Sequence, residues 1–214
     1  MSEEDAKTLF ELGVKYYEDG NVEKAIEMLA KSVEVDQYNE QALSLLGVAY
    51  GQVGETDKAI TIYEKLGLNY GRDPNYQYIL AGLYSQTDQD IRAVERLNMV
   101  LEMKPKDADA WFALGVCKLK LDEKEKAQEA LEKAIKYNKK HNLALSILGG
   151  IHLQKDEDQL AVDYLEKALK IEKNDADSWY GLGLAYSKLK NEEKGNECFE
   201  KAIAINPKLE NPLK

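Results

Sequence analysis

Trp179-Tyr180-Gly181-Leu182-Gly183-Leu184-Ala185-Tyr186 is the stretch on which the fold turns. A small residue preceded by leucine, with aromatics four before and three after it, must be sought elsewhere in the chain, because self-similarity at a fixed period outranks local propensity as a fold signal. The small position returns at Gly13, Gly47, Ala81, Gly115 and Gly149, always at the same spacing and without an insertion. Leucine precedes each one, at Leu12, Leu46, Leu80, Leu114, Leu148 and Leu182. Twelve residues later stand Ala25, Ala59, Ala93, Ala127 and Ala161, with Gly195 in the sixth copy. Sixteen residues later come Leu29, Tyr63, Leu97, Leu131, Leu165 and Phe199. Tyr16, Tyr50, Tyr84 and Tyr186 occupy the position three after the small residue, where Lys118 and His152 depart.

Within each copy the apolar residues keep helical spacing in two runs, for example Leu9, Leu12, Tyr16 and then Ala25, Ile26, Leu29. Each copy therefore predicts a helix hairpin, with the small residue allowing close approach and the alanine twelve residues on facing it. Gly20-Asn21, Gly54, Asp88, Asp122 and Asp156 predict the turns inside the hairpins, and Asp122 with Glu125 has the spacing of an N-cap and its partner three residues on. Asn39, Asp73, Asp107 and Asp175 predict caps for the next first helix, with Pro74 suited to a first helical position. One hairpin cannot bury its apolar face alone, so stacking must supply the core. The segment 67–74, with Gly67 and Gly71, reads as a bend or as a well-packed helix end, and both stay open. After Pro207 too few residues remain for a further polar helix, so the last apolar face is either softened by sequence or covered by another chain.

These residues resemble the tetratricopeptide repeat, whose pattern places tryptophan, leucine, glycine and tyrosine, then alanine, phenylalanine and proline, in a 34-residue period. The best copy runs from Trp179 through Phe199 and Ala202 to Pro207, and Trp111 and Pro105 supply further signature positions. Six repeats are expected, at 6–39, 40–73, 74–107, 108–141, 142–175 and 176–209. The resemblance implies an all-α, right-handed superhelical solenoid of six helix hairpins whose first helices line a concave groove. The inward positions it assigns are Phe10, Val14, Ser44, Val48, Tyr78, Gly82, Phe112, Val116, Ser146, Gly150, Tyr180 and Leu184. One turn further on lie Tyr17, Gln52, Ser85 and Lys120. An aromatic surface edged by Gln, Ser and Lys suits a peptide or protein partner. The clamp of Lys, Asn and Arg that grips chaperone carboxylates in one subfamily has no counterpart at these positions. A narrower resemblance, carried by Ala42-Leu43, Leu46-Gly47, Ala49-Tyr50 and Gly54, is to the magnetosome-associated tetratricopeptide proteins, and it implies a self-assembling coat. A subunit of a larger assembly is a third alternative.

The 214 residues carry 29 Lys+Arg against 39 Asp+Glu, a net charge of −10, which excludes a basic nucleic-acid reader. Residues 1–107 hold 11 cationic and 20 anionic side chains, whereas residues 108–214 hold 18 and 19. Such polarity suits a basic partner on the first half or head-to-tail self-association, and also a merely solvated acidic face. No run of apolar residues has the length of a membrane span, and the acidic N-terminus lacks a secretory pattern. A cytoplasmic location is the expectation, with homo-oligomerisation and peripheral membrane association left open. Cys117 and Cys198, in different repeats and with no CxxC pairing, read as reduced core thiols. His141 reads as a loop cap and His152 as a packed histidine, neither with a second ligand at metal spacing. Phosphate loops, nucleophile elbows and Cys/His pairs are missing, so neither catalytic residues, metal nor cofactor is expected.

Overall fold

The computed structural model describes residues 3–70 and 73–213. The periodic runs fold as helices α1 (Glu3–Glu18), α2 (Val22–Val35), α3 (Glu40–Gln52), α4 (Thr56–Asn69), α5 (Pro74–Gln86) and α6 (Asp90–Met103). They continue as α7 (Ala108–Lys120), α8 (Lys124–Tyr137), α9 (Asn142–Gln154), α10 (Asp158–Ile171), α11 (Ala176–Lys188) and α12 (Glu192–Ile205). Among the described residues there is no strand, and the architecture is an all-α solenoid of helix hairpins. The chain forms two compact units, 1–105 with α1 to α6 and 106–214 with α7 to α12, each a stack of three hairpins.

Close helix approach at the small position explains the period. A Cβ added to Gly149 would lie 2.5 Å from Leu165 Cγ, and one added to Gly183 would lie 2.7 Å from Phe199 Cε1. The side chain sixteen residues on thus roofs the small residue more directly than the alanine twelve residues on. That alanine is nevertheless fully buried at Ala25, Ala59, Ala93, Ala127 and Ala161. Each buried leucine of this set contributes about 1.5–3 kcal/mol. In the first unit, Ala25, Leu29 and Leu46 gather Phe10, Tyr16 and Tyr50 around them. In the second, Leu131, Ala144 and Leu148 form one cluster and Leu165, Leu182 and Cys198 another. Both cysteines are buried, and neither is in a disulfide. Leu12 departs from its register mates, being 40% exposed on the first helix.

The turns also repeat. Gly20, Gly54, Asp88, Asp122, Asp156 and Lys190, one to each hairpin at the repeat spacing, have φ between 56° and 78°. This corrects the reading of Asp122: it is the left-handed turn residue and not a cap. The N-cap of α8 is Glu123, whose side chain makes no capping bond and instead accepts from Lys118 Nζ at 3.0 Å and Lys126 Nζ at 2.5 Å. A hairpin turn needs one left-handed residue, and a short Asp side chain tolerates that conformation. Asn39, Asp73, Asp107 and Asp175 cap α3, α5, α7 and α11 as expected, and Pro74 opens α5. Helix α4 continues through Gly67 to Asn69, and a Cβ on Gly67 would lie 3.3 Å from Gln77 Nε2. Gly71 and Arg72, the rest of the suspected bend, lie outside the described residues. After Pro207 the chain lies against α12, with Asn211 Nδ2 donating to Asn196 Oδ1 at 2.9 Å and Leu213 beside Gly195.

Candidate functional site

All sixteen positions expected in a groove fall on odd-numbered helices, and none is buried. In the first unit, α1 carries Phe10, Val14 and Tyr17, α3 carries Ser44, Val48 and Gln52, and α5 carries Tyr78, Gly82 and Ser85. In the second, α7 carries Phe112, Val116 and Lys120, α9 carries Ser146 and Gly150, and α11 carries Tyr180 and Leu184. The backbone of this face is open. A Cβ built on Gly51, Gly82 or Gly150 meets no atom within 4 Å, in contrast to the roofed glycine next to Gly150.

The aromatics on this face are not equally available. Phe10 and Tyr17 pack against the Ala25, Leu29 and Leu46 cluster. Phe112 leans on the second unit's core with its ring 4.5 Å from that of His141, and Tyr180 lies 5.2 Å from Phe199. Tyr78, by contrast, is 39% exposed, and Val48 is 41% exposed. Ser146 Oγ accepts from Ser178 Oγ at 2.7 Å, and Ser85 Oγ donates to Asp90 Oδ1 at 3.0 Å, so both hydroxyls also serve the hairpin contacts.

Among the described residues, each unit has a hollow lined from these helices. One, of 390 Å³, is lined by Ser44 and Val48 together with Glu40, Gln41, Leu45 and Tyr76. The other, of 420 Å³, lies beside Gly150 and is lined by Leu119, Ile147 and Ile151 with Lys124, Gln154 and Lys155 at its polar side. The sequence reading missed Tyr76, whose hydroxyl donates to Glu40 Oε1 at 2.5 Å. Burial and that carboxylate push the Tyr76 phenol well above its ordinary range. A signal was present: the register mates of Tyr76 are Thr8, Ala42, Ala110, Ala144 and Ser178, so a large aromatic there breaks the repeat.

The histidines are structural. His141 is the N-cap of α9, its Nδ1 accepting from Ala144 N at 3.3 Å. His152 is 5% exposed, stacked on Tyr164 with ring centroids 5.1 Å apart and bonded through Nδ1 to Glu157 Oε2 at 2.5 Å. Among the described residues, no three His, Cys, Asp or Glu side chains gather as metal ligands would. Burial pushes the Cys198 thiol up to about 11, the opposite of an activated nucleophile. Among the described residues no helix is long and apolar enough to cross a membrane.

Comparison with known proteins agrees with the repeat fold. The family model described as the Cilia and flagella-associated protein 70 middle TPR-like domain matches residues 92–206, more than half of the chain, and a tetratricopeptide repeat model matches 16–83. Among solved structures, MamA is 25% identical, with a TM-score of 0.70 over 76% of this chain and 95% of that one. PilF of Pseudomonas aeruginosa is 19% identical, with a TM-score of 0.77 over 95% of this chain and 93% of that one. YrrB, described as a TPR protein with an unusual peptide-binding site, is 21% identical, with a TM-score of 0.67 over 84% of this chain and 92% of that one. No curated protein sequence matches.

Proposed function

This chain belongs to the tetratricopeptide-repeat family, and on that premise we propose that it is a non-enzymatic scaffold holding a peptide or protein partner on the face of its odd-numbered helices. The observation that carries this is the open backbone at Gly82 and Gly150, beside unburied side chains at every expected position. Gly149 and Gly183 on the same set of helices are spent on sealed helix contacts, whereas Gly82 and Gly150 leave room for something outside the chain. The hollows at Tyr76 and beside Gly150 each have apolar walls with a few polar groups, which suits a side chain anchored by one or two hydrogen bonds. YrrB, which shares the fold, is described by its peptide-binding site. Two buried thiols outside any disulfide fit a reducing compartment, and we place the scaffold in the cytoplasm. The test is to pan a random peptide library on the full chain and titrate the recovered peptides against Gly82→Trp and Gly150→Trp. Loss of binding by variants that keep their helical content supports the assignment; equal binding by both, or no recovered peptide, overturns it.

The uneven charge supports a second reading, head-to-tail self-assembly into a coat, since the segment 1–107 holds nine more anionic than cationic side chains and the rest of the chain one more. Size-exclusion chromatography with light scattering, at low and high salt, decides it. Large salt-sensitive oligomers support a coat, and a 24.2 kDa monomer at every concentration excludes it.

A further inference from the structure

Another face of the last hairpins holds a site independent of the groove. Between α10 and α12, with α11 as its floor, lies a cavity of 530 Å³. Trp179, Tyr186 and Cys198 line its apolar part, whereas Tyr180 and Leu184 sit on a different side of α11. The preceding hairpin fills the matching place differently. Cys198 stands one repeat period after Tyr164, and Tyr186 one period after His152. One hairpin earlier, Tyr164 stacks on His152 at an interplanar angle of 4° and fills the equivalent place. At Cys198 a smaller side chain stands where that hairpin has a phenol ring, and the Tyr186 ring is faced instead by Lys194 Nζ, 5.1 Å away.

The walls are held in advance of any ligand. Trp179 Nε1 donates to Lys173 O at 2.8 Å, and Tyr186 Oη donates to Glu166 Oε1 at 2.8 Å. The rim is cationic in a chain of net charge −10. Lys170, Lys173, Lys194 and Lys201 surround the cavity against two carboxylates, and one of those, Glu166, is engaged by Tyr186. Lys201 Nζ sits 4.3 Å from the Trp179 ring and Lys194 Nζ 5.1 Å from the Tyr186 ring, so charge is placed directly beside apolar surface. An apolar floor with a lysine rim matches one kind of occupant: a large apolar side chain with carboxylates on either side of it. We propose that the cleft between α10 and α12 docks a short acidic peptide segment of a partner protein. Its apolar side chain seats over Trp179 and Tyr186, and its carboxylates meet Lys194 and Lys201.

The experiment is calorimetric titration of the full chain with the capped peptide Asp-Glu-Phe-Glu-Asp, beside Asp-Glu-Ala-Glu-Asp and Lys-Lys-Phe-Lys-Lys. The acidic Phe peptide is expected to bind below about 1 mM and more weakly in high salt, and the other two are expected not to bind. Cys198→Tyr, which gives the cleft the filling that the chain already uses at Tyr164, is expected to abolish binding. Lys194→Glu with Lys201→Glu, two exposed changes that keep the test valid should the cysteine variant not fold, is expected to weaken it about tenfold or more. No binding by the acidic Phe peptide, equal binding by the Ala peptide, or unchanged affinity in the lysine variant overturns the proposal. Self-association of the wild-type chain that the lysine variant loses also overturns it, since the occupant would then be a second copy.

Discussion

Gly149 and Gly150 are neighbours on α9, yet an added methyl group should have opposite effects at the two sites. At Gly150 the new Cβ meets nothing within 4 Å, so Gly150→Ala gains only helix propensity, about 1 kcal/mol. At Gly149 the same propensity gain is opposed by a Cβ 2.5 Å from Leu165 Cγ, 2.8 Å from Cδ2 and 3.3 Å from Cδ1. Cγ is the branch point of a side chain only 2% exposed, so no terminal atom can swing aside, and overpacking of this kind costs about 1–3 kcal/mol. The propensity term cancels in the difference between the variants, which isolates the overpacking. Gly150→Ala should therefore be the more stable by about 1–3 kcal/mol, or roughly 2–12 °C in Tm. Urea and thermal unfolding followed by circular dichroism at the helical minimum measure this directly. Ala81 supplies a control, because there the chain already carries a buried methyl group at the small position of the repeat, and Ala81→Gly should lose stability. If Gly149→Ala proves as stable as Gly150→Ala, close approach at the small position is not what sets the repeat period.

Other measurements probe the turns, the thiol and the odd histidine. Lys190 holds φ 60° where Gly20 and Gly54 stand in the first two hairpins; Lys190→Gly should raise stability by up to about 1 kcal/mol, and a fall in the urea midpoint would count against strain there. Cys198, pushed up to about 11 by burial, should make stability fall as pH rises from the ordinary thiol value towards 11. The unfolded thiol ionises first, so over that window the unfolded chain holds fewer protons, and the loss is at most about 3 kcal/mol. Cys198→Ser should flatten that slope, and an identical slope in the variant would show that other groups cause it. In Tyr84 and Tyr186 the repeat hydroxyl donates to Glu64 and Glu166, twenty residues earlier; His152 instead buries an Nε2 with no partner, with Glu132 at the matching position. His152→Tyr should stabilise by about 1 kcal/mol, and destabilisation of that size would mean the stack on Tyr164 matters more.

The architecture was legible because every level of the sequence states it six times. One Leu-Gly pair is weak, but Gly13 to Gly183 at constant spacing fixes the hairpin, its turn and its stacking together. The turn caps show where such reading stops. Asp122 and Glu125 have capping-box spacing, yet the hairpin requires a left-handed residue at Asp122, and tertiary closure overrides the local pattern. Availability of the groove residues was equally hidden. Periodicity places Tyr78 and Phe112 alike on first helices, but only contact with His141 and the second unit's core distinguishes the half-buried ring from the exposed one.

What the repeat leaves unstated is carried by its exceptions. A position that merely maintains stacking has the same task in every hairpin, so nothing in the fold calls for Tyr76 where register mates are Ala42 and Ala110; the place of Cys198 is held by Met28, Ile62, Arg96, Ala130 and Tyr164 in turn, a position the repeat leaves free to vary. Each bears on the volume at one hairpin: Tyr76 lines the 390 Å³ hollow, and Cys198 lines the 530 Å³ cavity. The two lie on different units, and both join apolar surface to a polar edge. If such features were drift, variants that remove them, Tyr76→Ala and Cys198→Tyr, would change stability alone. If they are what adapts a generic scaffold to its partners, each variant removes one binding event and leaves the helices in place. Applying both to one chain separates the cases, because the two losses should then be independent of each other.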